Sequence, residues 1–437
     1  MKKIALLFFL ITSVMQLGFA QRKLIHAKPA TLGFDKDFIH HKVDSIMQMG
    51  IDSLAFPGAQ LLVAKNDTVI FHQAYGYHTY DNTQPVALND LYDLASVTKI
   101  AGPLPALMKL VDEGKLDLDK PFSTYWKPWR NRKDKKDLTL REILAHQAGL
   151  VPYIVFLEKV IRENGKIKRR FVHNSSDKRF QGQVYDGLYI SNRFERKMNR
   201  IINRSKVSDE KKYLYSGLSF LIFPSLIEQL TGTDYQTYLE ENFYQPLGAH
   251  TLGYLPEGKK YENDIVPTEV DSLFRKTLVK GWVHDENAAL KGGVSGNAGL
   301  FATADDLAKL MLFYQNYGKV GGQQLISAET VKEFTEVQFR KNENRRGLGF
   351  DKPLLNNAEL PLTEAYPSRF VSPRSFGHSG FTGTFIWADP EKKLTFIFLS
   401  NRVYPSRAHQ KLYSLGIREA LQDVFYWAAY DMHKNQK

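Results

Sequence analysis

Apolar residues recur at helical spacing at Ile39, Val43, Ile46, Met47 and Ile51, which predicts an early helix ending before Phe56-Pro57-Gly58. Two β-rich runs follow at 59–64 and 68–72, and the turn-forming Lys65-Asn66-Asp67 between them makes the pair a hairpin. From Ser96 a helical pattern extends to about Glu113 and stops at Gly114, with Pro103 and Pro105 predicting a break after its first turn. Thr139 and Glu142 have capping-box spacing and open a short helix, 143–147, which Gly149 ends. Residues 216–230, with Pro224 inside, 235–243 and 304–317 also read as helices. Two further strands, 382–388 and 394–399, flank Asp389-Pro390-Glu391-Lys392, and a helix over 412–430 closes the chain. Strands at both ends with helices between them predict an α+β fold. Its antiparallel sheet would join N- and C-terminal strands, with flanking helices and an inserted, mainly helical lobe. Because the terminal strands need one another, residues 35–437 are expected to form one unit, preceded by a linker over 21–34.

The first twenty residues change the picture of where this unit works. Lys2 and Lys3, an apolar run over 4–14 and the small-residue exit Gly18-Phe19-Ala20 read as a cleavable signal, cut after Ala20. A membrane anchor is the rival reading, but the apolar run is short for a span. Periplasmic or secreted localisation is therefore expected, with a mature chain of 437 − 20 = 417 residues. The chain has no cysteine, which excludes disulfides, a thiol nucleophile and lipid attachment to a cysteine after the signal. A net charge of +12 suggests nucleic acid until its distribution is examined. Residues 161–212 hold 15 Lys/Arg against 6 Asp/Glu, a local net of +9. This stretch reads as a basic insertion, about 150–212, within the helical lobe. It is either a solvated face or a surface attracting anionic cell-wall polymer or lipid headgroups. Export argues against a nucleic-acid partner.

Candidate chemistry starts at Ser96 and Lys99, one helical turn apart, where an amine shares a helix face with a hydroxyl. Ser175 with Lys178 and Ser208 with Lys211 repeat the spacing in polar, basic surroundings and read as solvated faces, whereas Ser96 lies among apolar residues. Three other turn-rich stretches carry reactive groups or glycines. Tyr213-Leu214-Tyr215-Ser216-Gly217-Leu218 precedes a helix. Phe376-Gly377-His378-Ser379-Gly380-Phe381-Thr382-Gly383-Thr384 leads into a strand, and the turn at 292–299 either lines a cleft or is a plain loop. A nucleophile elbow fails because Phe381 stands where glycine is required. No phosphate-cradling loop and no His-Glu-x-x-His are present, and His146, His284 and His378 are widely separated, so neither cofactor nor metal is expected. Nothing points to a glycosidase carboxylate pair.

Ser96-Val97-Thr98-Lys99, Tyr215-Ser216-Gly217 and His378-Ser379-Gly380, in that order, resemble the three active-site motifs of the serine β-lactamase and penicillin-binding-protein superfamily, in its class C-like branch. Phe56-Pro57-Gly58, Leu144-Ala145-His146-Gln147-Ala148-Gly149-Leu150 and Tyr244-Gln245-Pro246-Leu247-Gly248 resemble further landmarks, and the likeness spans about 55–405. The resemblance implies a nucleophilic Ser96 that becomes acylated, proton transfer shared by Lys99 and Tyr215, and an oxyanion hole from the N–H groups of Ser96 and Phe381. It places His378 where many relatives carry lysine, with Ser379 and Gly380 beside the substrate. Gly217 stands where relatives usually have Asn or Asp, and His378 in place of lysine implies electrostatics that change with pH. The implied function is an exported serine hydrolase acting on an amide or ester, a cell-wall peptide in the manner of D-Ala-D-Ala carboxypeptidases, or an ester. A β-lactamase and a non-catalytic peptidoglycan-binding or sensor protein are the alternatives.

Overall fold

The computed structural model describes residues 23–259 and 264–428. The expected signal lies outside them. Strand β1 (Ile25–His26) is followed by helix α1 (Lys36–Asp52) and the hairpin β2 (Gly58–Lys65) and β3 (Thr68–Gly76). Short β4 (Tyr92–Asp93) leads to α2 (Thr98–Ala101) and α3 (Pro103–Asp112), and α4 (Leu140–Leu144) follows. The insertion holds β5 (Val172–His173), β6 (Phe180–Tyr185), β7 (Leu188–Ser191) and α5 (Phe194–Arg204). Then come α6 (Phe223–Thr231), β8 (Gly253–Tyr254), β9 (Leu300–Ala302) and α7 (Ala304–Gln315). The chain ends in β10 (Phe376–Ser379), β11 (Phe385–Asp389), β12 (Leu394–Ser400) and α8 (Ile417–Trp427).

The main sheet has the order β1-β3-β2-β12-β11-β10, so the terminal strands do complete one another. β12 runs antiparallel to β2 from Leu394 opposite Lys65 to Ser400 opposite Ala59. Alternate residues serve two cores. Leu61, Val63, Phe396 and Phe398 pack with α1 and α8, while Leu62, Ala64, Ile397 and Leu399 join the larger core that includes α3 and α7. A sheet buried on both faces explains why β12 is a continuous apolar run rather than an alternating one.

Three expectations need correction. The stretch 21–34 is no free linker: Ile25 and His26 pair in parallel with Thr68 and Val69, and the Asp35 carboxylate caps α1 by accepting the Phe38 N–H at 3.0 Å. The exposed edge of β3 offered unpaired backbone groups, and the N-terminal segment satisfies them. The basic insertion is not merely a solvated face, and it carries a sheet as well as helix. Its three-stranded sheet and α5 bury Val172, Val184, Ile190, Phe194, Met198 and Ile202 against the larger core. Finally, the closing helix is split at Gly416, whose φ is +57°.

Candidate active site

Ser96 lies in a single 3₁₀ turn, Ala95–Val97, between β4 and α2. Ala95 before it holds φ +44°, a left-handed conformation that costs an L-residue on the order of 1 kcal/mol or more. The surroundings impose it. The Asp93 carboxylate accepts the Ala95 N–H at 2.8 Å, and the hydroxyls of Thr382 and Thr384 donate to the carbonyls of Asp93 and Leu94 at 2.8 and 3.1 Å. Gly380 passes so close that a Cβ there would meet Thr384 Oγ1 at 2.1 Å and the Leu94 carbonyl at 2.5 Å, which accounts for the glycine. Burial raises the Asp93 pKa against the N–H groups of His284 and Ala95 that lower it.

The break at Gly102 (φ −107°, ψ −91°) confines α2 to one turn, so Lys99 points back at the nucleophile. Lys99 Nζ lies 2.9 Å from Ser96 Oγ and 2.9 Å from the Asn297 carbonyl oxygen. The glycine-rich turn at 292–299 therefore does line the site. It is braced by Ser295 Oγ donating to Asn297 Oδ1 at 2.7 Å and Asn297 Nδ2 donating to Asp285 Oδ1 at 3.0 Å. Lys99 Nζ is 5.5 Å from the ring centres of both Tyr215 and Phe220. The Tyr215 hydroxyl is buried and, among the described residues, has no hydrogen-bond partner.

Behind Tyr215 stand two buried histidines. The His146 ring centre is 4.5 Å from that of Tyr215, and that of His378 is 6.1 Å away. Burial, then the charges of Arg346 and Lys99, push the His378 imidazole down to about 3. Burial, Arg346 and His378 hold His146 well below the usual range. That environment favours the neutral imidazole, against the expectation of electrostatics that change with pH.

The cleft in front of Ser96 encloses about 440 Å³ and is lined by Tyr153, Leu157, His284, Asn297 and Phe381 among others. Phe381 is 46 % exposed, stacked on His284 and backed by the Arg402 guanidinium 4.5 Å from its ring centre. Arg407 closes one end, paired with Glu269 and Glu286 at 2.6 and 2.7 Å. Burial raises the Glu269 pKa, but hydrogen bonds from His284 and Arg407 more than reverse it, to about 2.

Of the residues expected to act together, Ser96, Lys99, Tyr215 and His378 converge. Gly380 lies beneath the nucleophile turn, Phe381 lines the cleft, and the half-buried Ser379 ends β10. The competing Ser175, Lys178, Ser208 and Lys211 are exposed. His146, named in the sequence as a widely separated histidine and within a family landmark but given no role, is part of the site. Among the described residues no group of acidic or histidine side chains is arranged to hold a metal. Asn297 was signalled by its glycine-rich turn; nothing in the sequence pointed to Arg346.

Residues 43–418 match the family described as Beta-lactamase. The chain belongs to the beta-lactamase family. It is a serine hydrolase of that family, with its α+β fold. It is 30% identical over 405 residues to a protein of Escherichia coli O157:H7 named "Putative D-alanyl-D-alanine carboxypeptidase", covering 87% of this chain and 86% of that one. Among solved structures it is similar to EstCE1, described as a hydrolase with promiscuous acyltransferase activity (TM-score 0.61, 19% identity, 88% of this chain and 98% of that one). It is similar also to the octameric penicillin-binding protein homologue from Pyrococcus abyssi (TM-score 0.62, 19% identity, 91% and 80%). No helix among the described residues of this family member is long and apolar enough to cross a membrane.

Proposed function

We propose that this beta-lactamase-family hydrolase is exported through its N-terminal signal and removes a terminal D-alanine from cell-wall peptides through an acyl-enzyme on Ser96. The 2.9 Å contact between Ser96 Oγ and Lys99 Nζ at the mouth of the cleft carries this reading. Ser96 Oγ attacks the carbonyl carbon, and its proton passes to the Lys99–Tyr215 pair. One Lys99 N–H is held by the Asn297 carbonyl, which aims the amine. The N–H groups of Ser96 and Phe381 receive the developing oxyanion, and the same pair returns the proton to the departing amine. Water then repeats the sequence on the acyl ester. The carboxypeptidase-named relative favours the peptide substrate.

Intact-protein mass after treatment with a fluorophosphonate or benzylpenicillin tests the nucleophile: wild type gains the adduct and Ser96→Ala does not. Release of D-alanine from a D-Ala-D-Ala pentapeptide tests the substrate. A protein that hydrolyses p-nitrophenyl esters without releasing D-alanine is an esterase instead.

The basic insertion supports a second part of the reading, contact with an anionic wall polymer. A groove of about 790 Å³ is lined by Arg170, Phe171, Arg193, Arg196, Lys197 and Arg200. Arg170 and Lys197 both stack on Phe171, at 4.4 and 4.3 Å from its ring centre. Among the described residues none of these five cations enters an ion pair, which leaves their charge for a polyanion. Salt-sensitive co-sedimentation with purified sacculi is the expected result; equal binding to anionic vesicles alone points to lipid.

A further inference from the structure

Arg346 is 3% exposed and lies at the back of the site. Its Nη1 is 3.0 Å from Asp351 Oδ1, and its Nη2 is 3.4 Å from His378 Nε2, 3.4 Å from the Gly349 carbonyl and 3.5 Å from His146 Nε2. The guanidinium carbon is 5.5 Å from the Tyr215 ring centre. Its loop is tied to the turn that carries His146. The Asn344 side chain accepts the Arg346 N–H at 2.9 Å and donates to the Ala145 carbonyl and to Gln147 Oε1 at 2.9 and 2.8 Å.

Hydrogen-bond chemistry fixes the protons on both imidazoles. His378 Nδ1 faces the Ser379 carbonyl at 2.8 Å, which only accepts, so Nδ1 carries the proton and Nε2 turns its lone pair to the Arg346 guanidinium. His146 Nδ1 accepts the Ser216 N–H at 3.2 Å, so its single proton sits on Nε2. A second proton on His146 has no place without breaking that bond, and one on His378 Nε2 would confront a cation. Arg345 Nη1 also reaches Asp351, at 2.7 Å. Two guanidiniums on one carboxylate leave this cluster one positive charge in excess.

We propose that Arg346 is the positioning residue of this hydrolase: it holds a permanent positive charge behind Tyr215 and, together with the burial of the rings and the Ser216 N–H on His146, keeps His378 and His146 as neutral rings. This rests on the reading of Tyr215 as a proton carrier. A pocket walled by neutral histidines and a guanidinium keeps one charge state across the working pH range, so the proton transfer at Ser96 sees a constant field. The groups that face His378 are Arg346, Lys99, Asp351 and the Tyr215 ring; those that face His146 are Arg346, His378, Lys99 and the rings of Tyr213, Tyr215 and Phe220. Asp351 is the acid among them, and it is already shared by two arginines.

The test combines kcat/KM for p-nitrophenyl acetate from pH 4.5 to 8 with NMR titration of the histidine Cε1 protons. It uses wild type, Arg346→Lys and the double variant Arg346→Met with Asp351→Asn, which removes the charge pair together. Wild type should show no limb from His146 or His378 above pH 5, and neither resonance should titrate there. The double variant should gain an acid limb at higher pH than any in wild type, falling about tenfold per pH unit below it, with both resonances shifted upward; Arg346→Lys should restore the wild-type profile. A wild-type His378 that titrates near 6.5 overturns the proposal whether or not the variants fold. So does a double variant whose rate falls equally at every pH, since that is a purely structural loss. Failure of wild type to take up fluorophosphonate at Ser96 defeats the hydrolase reading alone and leaves the histidine titrations to decide the role of Arg346.

Discussion

The face of α5 and the pocket behind Tyr215 are both rich in positive charge, and they treat it in opposite ways. On α5 and at its N-cap, Arg193, Arg196, Arg200 and Arg204 stand in water with little to hold them. Behind Tyr215, Arg346 is stripped of water and held by a carboxylate, a carbonyl and an imidazole. Water dissipates the field of each surface cation within about 10 Å at ordinary salt, so many are needed for a modest effect. A dry site magnifies one charge and makes each of its partners indispensable. Most of the chain's net charge belongs to the first kind; its chemistry depends on the second.

The comparison can be broken or sharpened by experiment, beginning with the nucleophile that the buried charges serve. Ser96→Ala should lower ester turnover by on the order of 10⁴-fold or more while leaving the far-UV spectrum unchanged. Next comes the buried pair. Arg346→Met leaves Asp351 with one guanidinium fewer in a dry pocket and should cost about 3–5 kcal/mol in urea unfolding, most of it recovered when Asp351→Asn is added.

Stability against pH gives the third. His146 and His378 have folded-state pKa values below their unfolded value, so as pH falls the unfolded chain takes up protons first. Their contribution is fully present above about 6.5 and is lost as pH falls from there, for His378 down toward about 3. The limiting slope is about 1.4 kcal/mol per pH unit for each histidine. Unfolding midpoints at pH 7, 5.5 and 4.5 measure it, and a flat series removes the claim that both rings are locked neutral.

A smaller change is expected at Gly217. A Cβ there meets only Lys99 Cε, at 4.0 Å, so an asparagine fits beside the amine. Gly217→Asn should speed acylation by benzylpenicillin up to about tenfold, the worth of one added polar contact. Smallest of all, Arg196→Ala with Arg200→Ala should shift stability by no more than about 0.5 kcal/mol while reducing binding to sacculi at low salt. A larger loss of stability would mean that these arginines are not the loosely held charges their exposure indicates.

Much of the scaffold was legible because its signals are local. The β-rich and helical runs located β2, β3, β12, α1 and α7, and Thr139 with Glu142 announced α4 through a capping box that the structure contains. The order of the motifs likewise brought Ser96, Lys99, Tyr215 and His378 together. Contacts made by backbone or across long separations were not legible. The parallel pairing of Ile25 with Thr68 depends on an edge that exists only once the hairpin has formed. The buried sheet of the insertion was masked by charged residues interleaved among its apolar ones. Arg346 lies 131 residues after Tyr215 by subtraction of their numbers, in a stretch of polar residues, Glu343-Asn344-Arg345-Arg346. Only burial and the company of Asp351 reveal it.

The partner that aims Lys99 is the carbonyl oxygen of Asn297, not its side chain. Replacing residue 297 with any other amino acid leaves that oxygen in the polymer, so a complete scan of substitutions would score the turn's bracing and miss its acceptor. The constraint is written in the main chain. A depsipeptide linkage between residues 297 and 298, introduced by semisynthesis, would weaken the acceptor while preserving every side chain.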